Sequence, residues 1–134
     1  MARFVRISQN EFTSVRKLYE SVMSYACHGL FFREGSALAD EIAKEAEEEE
    51  DLLPAARKVL ISRGWVEDVQ FGEREARVRG SVESMPGAES ETCHRLRGIL
   101  SRLYELSTKS RARFAEVECA STGAKECVFS QEES

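Results

Sequence analysis

From Asn10 onward, apolar residues recur at three- and four-residue steps: Phe12, Val15, Leu18, Tyr19, Val22 and Met23. That period predicts an amphipathic helix with these residues on its buried face. Asn10 is the expected N-cap, and Glu11 falls in the first turn, where negative charge suits the helix dipole. Residues 2–8 read as a short strand or an extended lead-in. A second helical stretch carries Leu30, Phe31, Gly35, Leu38, Ala39 and Ile42, and the pattern leaves open whether it continues the first helix or breaks near His28-Gly29. The acidic run from Glu47 to Asp51 is read as closing one helix and opening the next rather than as a metal or partner site. Asp51 can cap, and Pro54 sits in the first turn, where its missing N–H costs little. The helix that follows buries Leu52, Leu53, Ala56, Val59 and Leu60 and ends at Gly64.

After Gly64 the period changes to two. Trp65 begins a strand on which Val69 and Phe71 share a face, and Gly72-Glu73-Arg74 makes the turn. Ala76, Val78, Gly80 and Val82 then alternate with Arg77, Arg79, Ser81 and Glu83, which predicts an antiparallel hairpin with the polar set facing water. Met85-Pro86-Gly87 breaks the strand. Ser90 or Thr92 can cap the next helix, whose apolar stripe is Leu96, Ile99, Leu100, Leu103, Tyr104 and Leu106. In the strand after it, Ala115, Val117 and Cys119 face one way and Phe114, Glu116 and Glu118 the other. A turn at Gly123-Ala124-Lys125 leads to the last strand, Cys127-Val128-Phe129. The order helices-β-β-α-β-β predicts an α+β fold, N-terminal helices packed on an antiparallel sheet, with residues 1–134 forming one domain.

Composition narrows the function classes. With 19 Lys+Arg against 24 Asp+Glu the net charge is −5, which opposes non-specific nucleic-acid binding. No apolar run approaches the roughly 20 residues that span a bilayer, and the N-terminus lacks the apolar core of a secretory signal. The expected location is the cytoplasm, where the four cysteines stay reduced. Reduced cysteines at close spacing point to metal or redox chemistry before structural disulfides.

A hairpin turning about Gly123 sets Cys119 and Cys127 opposite each other on one face. Such cross-strand pairs have Cβ atoms about 4.5–5.5 Å apart, compatible with two thiolates about 3.7 Å apart on a tetrahedral zinc. Cys93, three residues before Leu96, falls in the first turn of its helix on the buried side, where the helix N-terminus favours thiolate. A zinc site competes here with a Cys119–Cys127 disulfide and with plain buried cysteines. Several neighbours carry structural readings instead. His94 is read as a surface residue, Arg77, Arg79, Arg95 and Arg97 as solvent-exposed, and Cys27-His28 as a helix-end core cysteine without a second half.

The segments Thr92-Cys93-His94-Arg95-Leu96-Arg97-Gly98, Glu116-Val117-Glu118-Cys119 and Gly123 to Cys127 resemble the 4-vinyl-reductase-like small-molecule-binding domain. So do Leu30-Phe31-Phe32-Arg33-Glu34-Gly35 and Leu60-Ile61-Ser62-Arg63-Gly64-Trp65 upstream, and the resemblance covers roughly residues 25–131. The family shares its broad fold group with the Golgi transport-particle subunits and the haem-based nitric-oxide sensors. The resemblance implies a zinc ion held by Cys93, Glu116, Cys119 and Cys127, and a homodimer. Glu116 rests on the resemblance, because three residues before Cys119 in a flat strand it faces the other way, and a bulge is needed to bring both to one ion.

These features lead to the expectation of a non-catalytic, zinc-stabilised sensor-type domain. Its apolar pocket would take a small hydrophobic or aromatic ligand and be lined from the faces bearing Leu30, Phe31, Leu38, Val59, Trp65 and Leu100. For Trp65 and Phe31 plain packing is the competing reading. The alternatives are an enzyme or accessory factor in tetrapyrrole vinyl reduction, as the family name suggests, or an adaptor working by protein contact. Autonomous catalysis is disfavoured by the lack of a Gly-x-Gly-x-x-Gly dinucleotide fingerprint after a strand.

Overall fold

The computed structural model describes residues 3–46 and 51–132 of the chain. Helix α1 spans Gln9–Met23, and a 3-10 turn, Ser24–Ala26, leads into α2, Cys27–Glu45. Helix α3 is Leu52–Ser62, followed by strands β1 (Asp68–Phe71) and β2 (Glu75–Arg79). Helix α4, His94–Thr108, then precedes β3 (Phe114–Glu118) and β4 (Cys127–Gln131). The strands form one antiparallel sheet in the order β1-β2-β4-β3. The mixed α+β architecture is the expected one. Most of the acidic run, residues 47–50, lies outside the described residues. No helix among the described residues is long and apolar enough to cross a membrane.

Helix α1 begins two residues before the expected cap. Ser8 and Glu11 close a capping box, the Glu11 N–H donating to Ser8 Oγ at 3.1 Å and the Ser8 N–H to Glu11 Oε1 at 3.0 Å. The reciprocal pair satisfies two orphan donors, more than Asn10 alone can do. The chain breaks between α1 and α2 at Ser24, whose φ of 55° is left-handed, so the break precedes His28-Gly29. The apolar stripe of α1 is not buried within the described chain: Leu18 is 59% and Val22 74% exposed. The only buried residue of α1 is Arg16.

Helix α4 is the axis of the core. Leu96, Ile99, Leu100, Leu103 and Tyr104 are fully buried against Val69, Ala76, Val78, Phe114 and Phe129 of the sheet. The Tyr104 hydroxyl donates to the Gly72 carbonyl at 2.6 Å and so ties α4 to the first hairpin turn. On its other side α4 crosses α2 at two glycines. A Cβ on Gly35 would overlap the backbone carbonyl of Arg95, and one on Gly98 would overlap that of Phe32. The two helix backbones therefore touch directly, which only glycine permits at both positions.

The first hairpin is as expected as far as Arg79. There the strand ends, and Gly80 at φ +67° reverses the alternation. Ser81 and Glu83, expected to face water, are buried instead. Trp65 lies outside β1, where its carbonyl accepts from the Val82 N–H at 2.9 Å.

Gly98→Ala discriminates between helix propensity and packing. Propensity alone would stabilise an exposed helix by about 1 kcal/mol, whereas overpacking costs about 1–3 kcal/mol. Urea unfolding is expected to show a net loss for Gly98→Ala and for Gly35→Ala, and a gain in either would refute backbone contact at this crossing.

Candidate metal centre

Cys93 stands at the N-cap of α4, one residue earlier than expected, with φ −90° and ψ 56°. Neither Ser90 nor Thr92 caps the helix. Glu83 does so from a distance, accepting from the Arg95 N–H at 3.1 Å and the Leu96 N–H at 2.8 Å. A carboxylate at a helix N-terminus satisfies free donors and meets the positive end of the dipole. Thr92 is left to bond Ser121, their hydroxyl oxygens 2.6 Å apart.

The bulge that Glu116 requires is present. Glu116 pairs with Phe129 and Glu118 with Val128, so Val117 is extra and points to solvent. An added residue restores a common side for two positions three apart. One ligand atom each from Cys93, Glu116, Cys119 and Cys127 lies within 4.8 Å of the other three, and these residues could hold a metal ion. The Cys93 and Cys127 sulfurs are 3.7 Å apart, the separation of about 3.7 Å that two thiolates take on a tetrahedral ion. All four cysteines are free thiols, and Cys27 lies outside this cluster, its thiol donating to the Ser24 carbonyl at 3.2 Å.

Further groups hold the four donors. The Cys93 thiol donates to Ser81 Oγ at 3.2 Å, and the Ala120 N–H donates to Cys127 Sγ at 3.3 Å. Thr92 Oγ1 lies 3.7 Å from Cys119 Sγ. Glu116 Oε1 accepts from the Cys93 N–H at 3.2 Å, while Oε2 is buried with no partner among the described residues. An orphaned buried carboxylate oxygen is costly unless something binds it. Three thiols beside that oxygen suit a borderline-soft dication.

Left to themselves, these groups share protons unequally. Burial pushes the Glu116 carboxyl up to about 8, with the Cys119 sulfur adding to the rise. Hydrogen bonds from Cys127 and Cys93 hold the Cys119 thiol well below its usual value. The same bonds raise Cys93 well above its ordinary range and Cys127 to about 12. The pocket thus resists a second negative charge, and a bound cation would remove that resistance.

Around the centre, two surface readings fail. His94 is 8% exposed because the start of α4 tucks beneath the start of α2, and its ring stacks on His28 at 3.9 Å. Arg95 is buried too, over the Phe31 ring at 4.1 Å, paired with Glu34 at 2.5 Å and Glu83 at 3.6 Å. Arg97 is half-buried over Phe32.

A cleft of about 900 Å³ opens between residues 4–7, Phe12 and the end of α3. Of the residues expected to line a pocket, Val59 and Trp65 are on its wall. Leu100 is fully buried in the core, and Leu38 packs half-buried against it. Leu30 is 49% exposed, and Phe31 sits beneath Arg95. The walls missed in the sequence are Phe4, Val5, Ile7 and Val82. The first three belong to an aperiodic lead-in, and Val82 was assigned to a regular strand.

Fold and site together define an α+β domain with a buried thiolate–carboxylate cluster joining α4 to the last hairpin. Residues 77–133 match the family model of the vinyl-4-reductase domain, and the chain carries a 4-vinyl-reductase-like domain. The phenol-responsive sensory domain of the transcription activator PoxR, in complex with phenol, superposes with a TM-score of 0.80 at 16% identity, covering 97% of this chain and 77% of that one. A vinyl-4-reductase family protein from Methanocaldococcus jannaschii superposes at 0.70 and 15% identity, covering 98% and 85%. No curated protein matches the chain.

Burial pushes the His94 imidazole down to about 3 from its usual 6.5, and the neighbouring His28 and Arg16 add to the fall. Between those values the unfolded chain binds a proton that the folded chain does not, so stability drops as pH falls through 6.5. Urea unfolding at pH 7 and pH 5 in the presence of chelator is expected to show an acid loss about 2 kcal/mol smaller in His94→Gln than in the wild type. Equal slopes would mean that the imidazole is not held neutral.

Proposed function

We propose that the protein is a non-catalytic sensor-type domain, stabilised by one zinc ion, that binds a small hydrophobic or aromatic molecule in its open cleft. The observation that carries this reading is the convergence of Cys93, Glu116, Cys119 and Cys127 within 4.8 Å beside an apolar cleft. Zinc on four protein ligands leaves no position for a reactive water, so its contribution is to pin the α4 N-terminus to the β3–β4 hairpin. The cleft offers aromatic and aliphatic walls from Phe12, Val59, Ile61 and Trp65, with Arg63 at its edge. The phenol complex of the structurally similar PoxR domain lends support to an aromatic ligand. An open cleft also favours ligand binding over an adaptor role.

We also infer a homodimer in the cytoplasm, formed through α1. Val15, Leu18, Tyr19 and Val22 recur on one helical face and are exposed. Laid against its own copy, such a stripe is self-complementary, as a two-fold interface requires.

Native mass spectrometry tests the metal and the dimer together. The expected species is a dimer with one zinc per chain. Glu116→Gln is expected to weaken zinc affinity by about tenfold or more, since even outer partners cost that much, and Cys127→Ser to abolish stoichiometric binding. A monomer, or undiminished zinc in Cys127→Ser, would remove the corresponding claim.

Trp65 is the chain's single tryptophan and stands on the cleft wall, so its fluorescence reports occupancy directly. Titration with phenols, fatty acids and tetrapyrrole precursors is expected to change its emission with at least one class, together with a rise in Tm. A flat response and no thermal shift across the panel would defeat the ligand reading.

A further inference from the structure

Helix α1 is attached to the rest of the chain in an unusual way. Its apolar residues are mostly exposed, yet an arginine in its middle, Arg16, is only 9% exposed. Burying a guanidinium is expensive unless its donors are matched. Arg16 Nη1 donates to the Thr92 carbonyl at 2.9 Å, and Nε donates to Glu20 Oε2 at 3.1 Å. That Glu20 oxygen also bonds His28 Nε2 at 2.6 Å. The arginine thus crosses from α1 to the turn that carries the first cysteine of the cluster.

The peptide unit it reaches is gripped from both ends. Its oxygen, on Thr92, accepts from Arg16, and its N–H, on Cys93, donates to Glu116 Oε1 at 3.2 Å. A peptide plane is rigid, so its carbonyl and N–H turn together. Any change in how Glu116 is held rotates the plane and shifts the acceptor offered to Arg16. The Thr92 side chain adds to the linkage through Ser121 and Cys119.

We propose that Arg16 is a positioning residue for the Thr92–Cys93 turn, and that through it α1 follows the state of the metal centre. The inference rests on the zinc reading above and goes beyond it, because it assigns a path from the centre to the helix proposed to pair subunits. No other residue of α1 is buried, so loss of this bond frees the helix without dismantling the core.

The test compares wild type with Arg16→Met and Arg16→Lys, reading zinc release to a chromophoric chelator and amide exchange by mass spectrometry. In Arg16→Met both zinc release and exchange over residues 9–23 are expected to rise about tenfold, the loss of one charged hydrogen bond. Exchange over residues 96–104 is expected to stay slow. Arg16→Lys, which keeps one donor and the charge, is expected to fall between. Faster exchange in α1 with unchanged zinc release overturns the proposal, since Arg16 would then anchor the helix and nothing more. Should Arg16→Met fail to fold, Arg16→Lys decides alone. Both readouts must rise in it, because an ammonium cannot serve Thr92 and Glu20 in the guanidinium's geometry. Should the wild type hold no zinc, the metal reading falls, and exchange over residues 88–96 judges the latch: unchanged exchange there in Arg16→Met overturns it.

Discussion

The backbone contact between α2 and α4 at Gly35 and Gly98 sets the position of everything that follows along the chain. Two helices that approach this closely fix both their spacing and their phase, because side chains no longer hold them apart. With the phase fixed, the first turn of α4 lies under α2, and polar residues there have no route to water. His94 and Arg95 are buried for that reason, although nothing in their own chemistry asks for it. Cys93, just ahead of them, is delivered to the sheet side, where the last hairpin waits.

The arrangement carries a charge cost at the start of α4, and the structure meets it with Glu83. That carboxylate accepts from two free N–H groups and faces Arg95, while Arg95 also reaches Glu34. Burial still pushes Glu83 up to about 7 despite these partners. Desolvation is thus only partly offset, as is usual for ion pairs taken out of water. The gain is in placement. A remote carboxylate cap frees the N-cap position from Ser, Thr or Asp and leaves it to a cysteine that can face the cluster.

Much of this was legible in the sequence, and the limits have identifiable physical causes. The two-residue period gave the first hairpin, the stripe from Leu96 to Tyr104 gave α4, and the turn at Gly123 gave the Cys119–Cys127 pairing. Alternation fails wherever one residue is added or one φ changes sign. It placed Glu116 on the wrong side because the bulge at Val117 leaves no mark in composition, and it sent Ser81 and Glu83 outward because Gly80 adopts φ +67°. Periodicity in α1 was real, but a stripe says only that a helix has an apolar face, not that the same chain covers it. The buried arginine on that helix was invisible for the same reason. Its partner is a backbone carbonyl 76 residues away, which no local pattern encodes.

Ser81 and Val82 show how near the cleft and the cluster lie to one another. Adjacent residues on an extended backbone point to opposite sides. Ser81 turns inward and accepts from the Cys93 thiol, while Val82 lines the cleft and donates its N–H to the Trp65 carbonyl. One peptide therefore separates a wall of the cleft from the shell of the cluster. Phe12 and Arg16 repeat the relation on α1 one turn apart, the first stacked near Trp65 and the second bonded to Thr92. A ligand that displaced Trp65 or Phe12 would press on both links together. Rigid coupling of this kind needs no long pathway, because packed side chains and a planar peptide pass on small shifts directly.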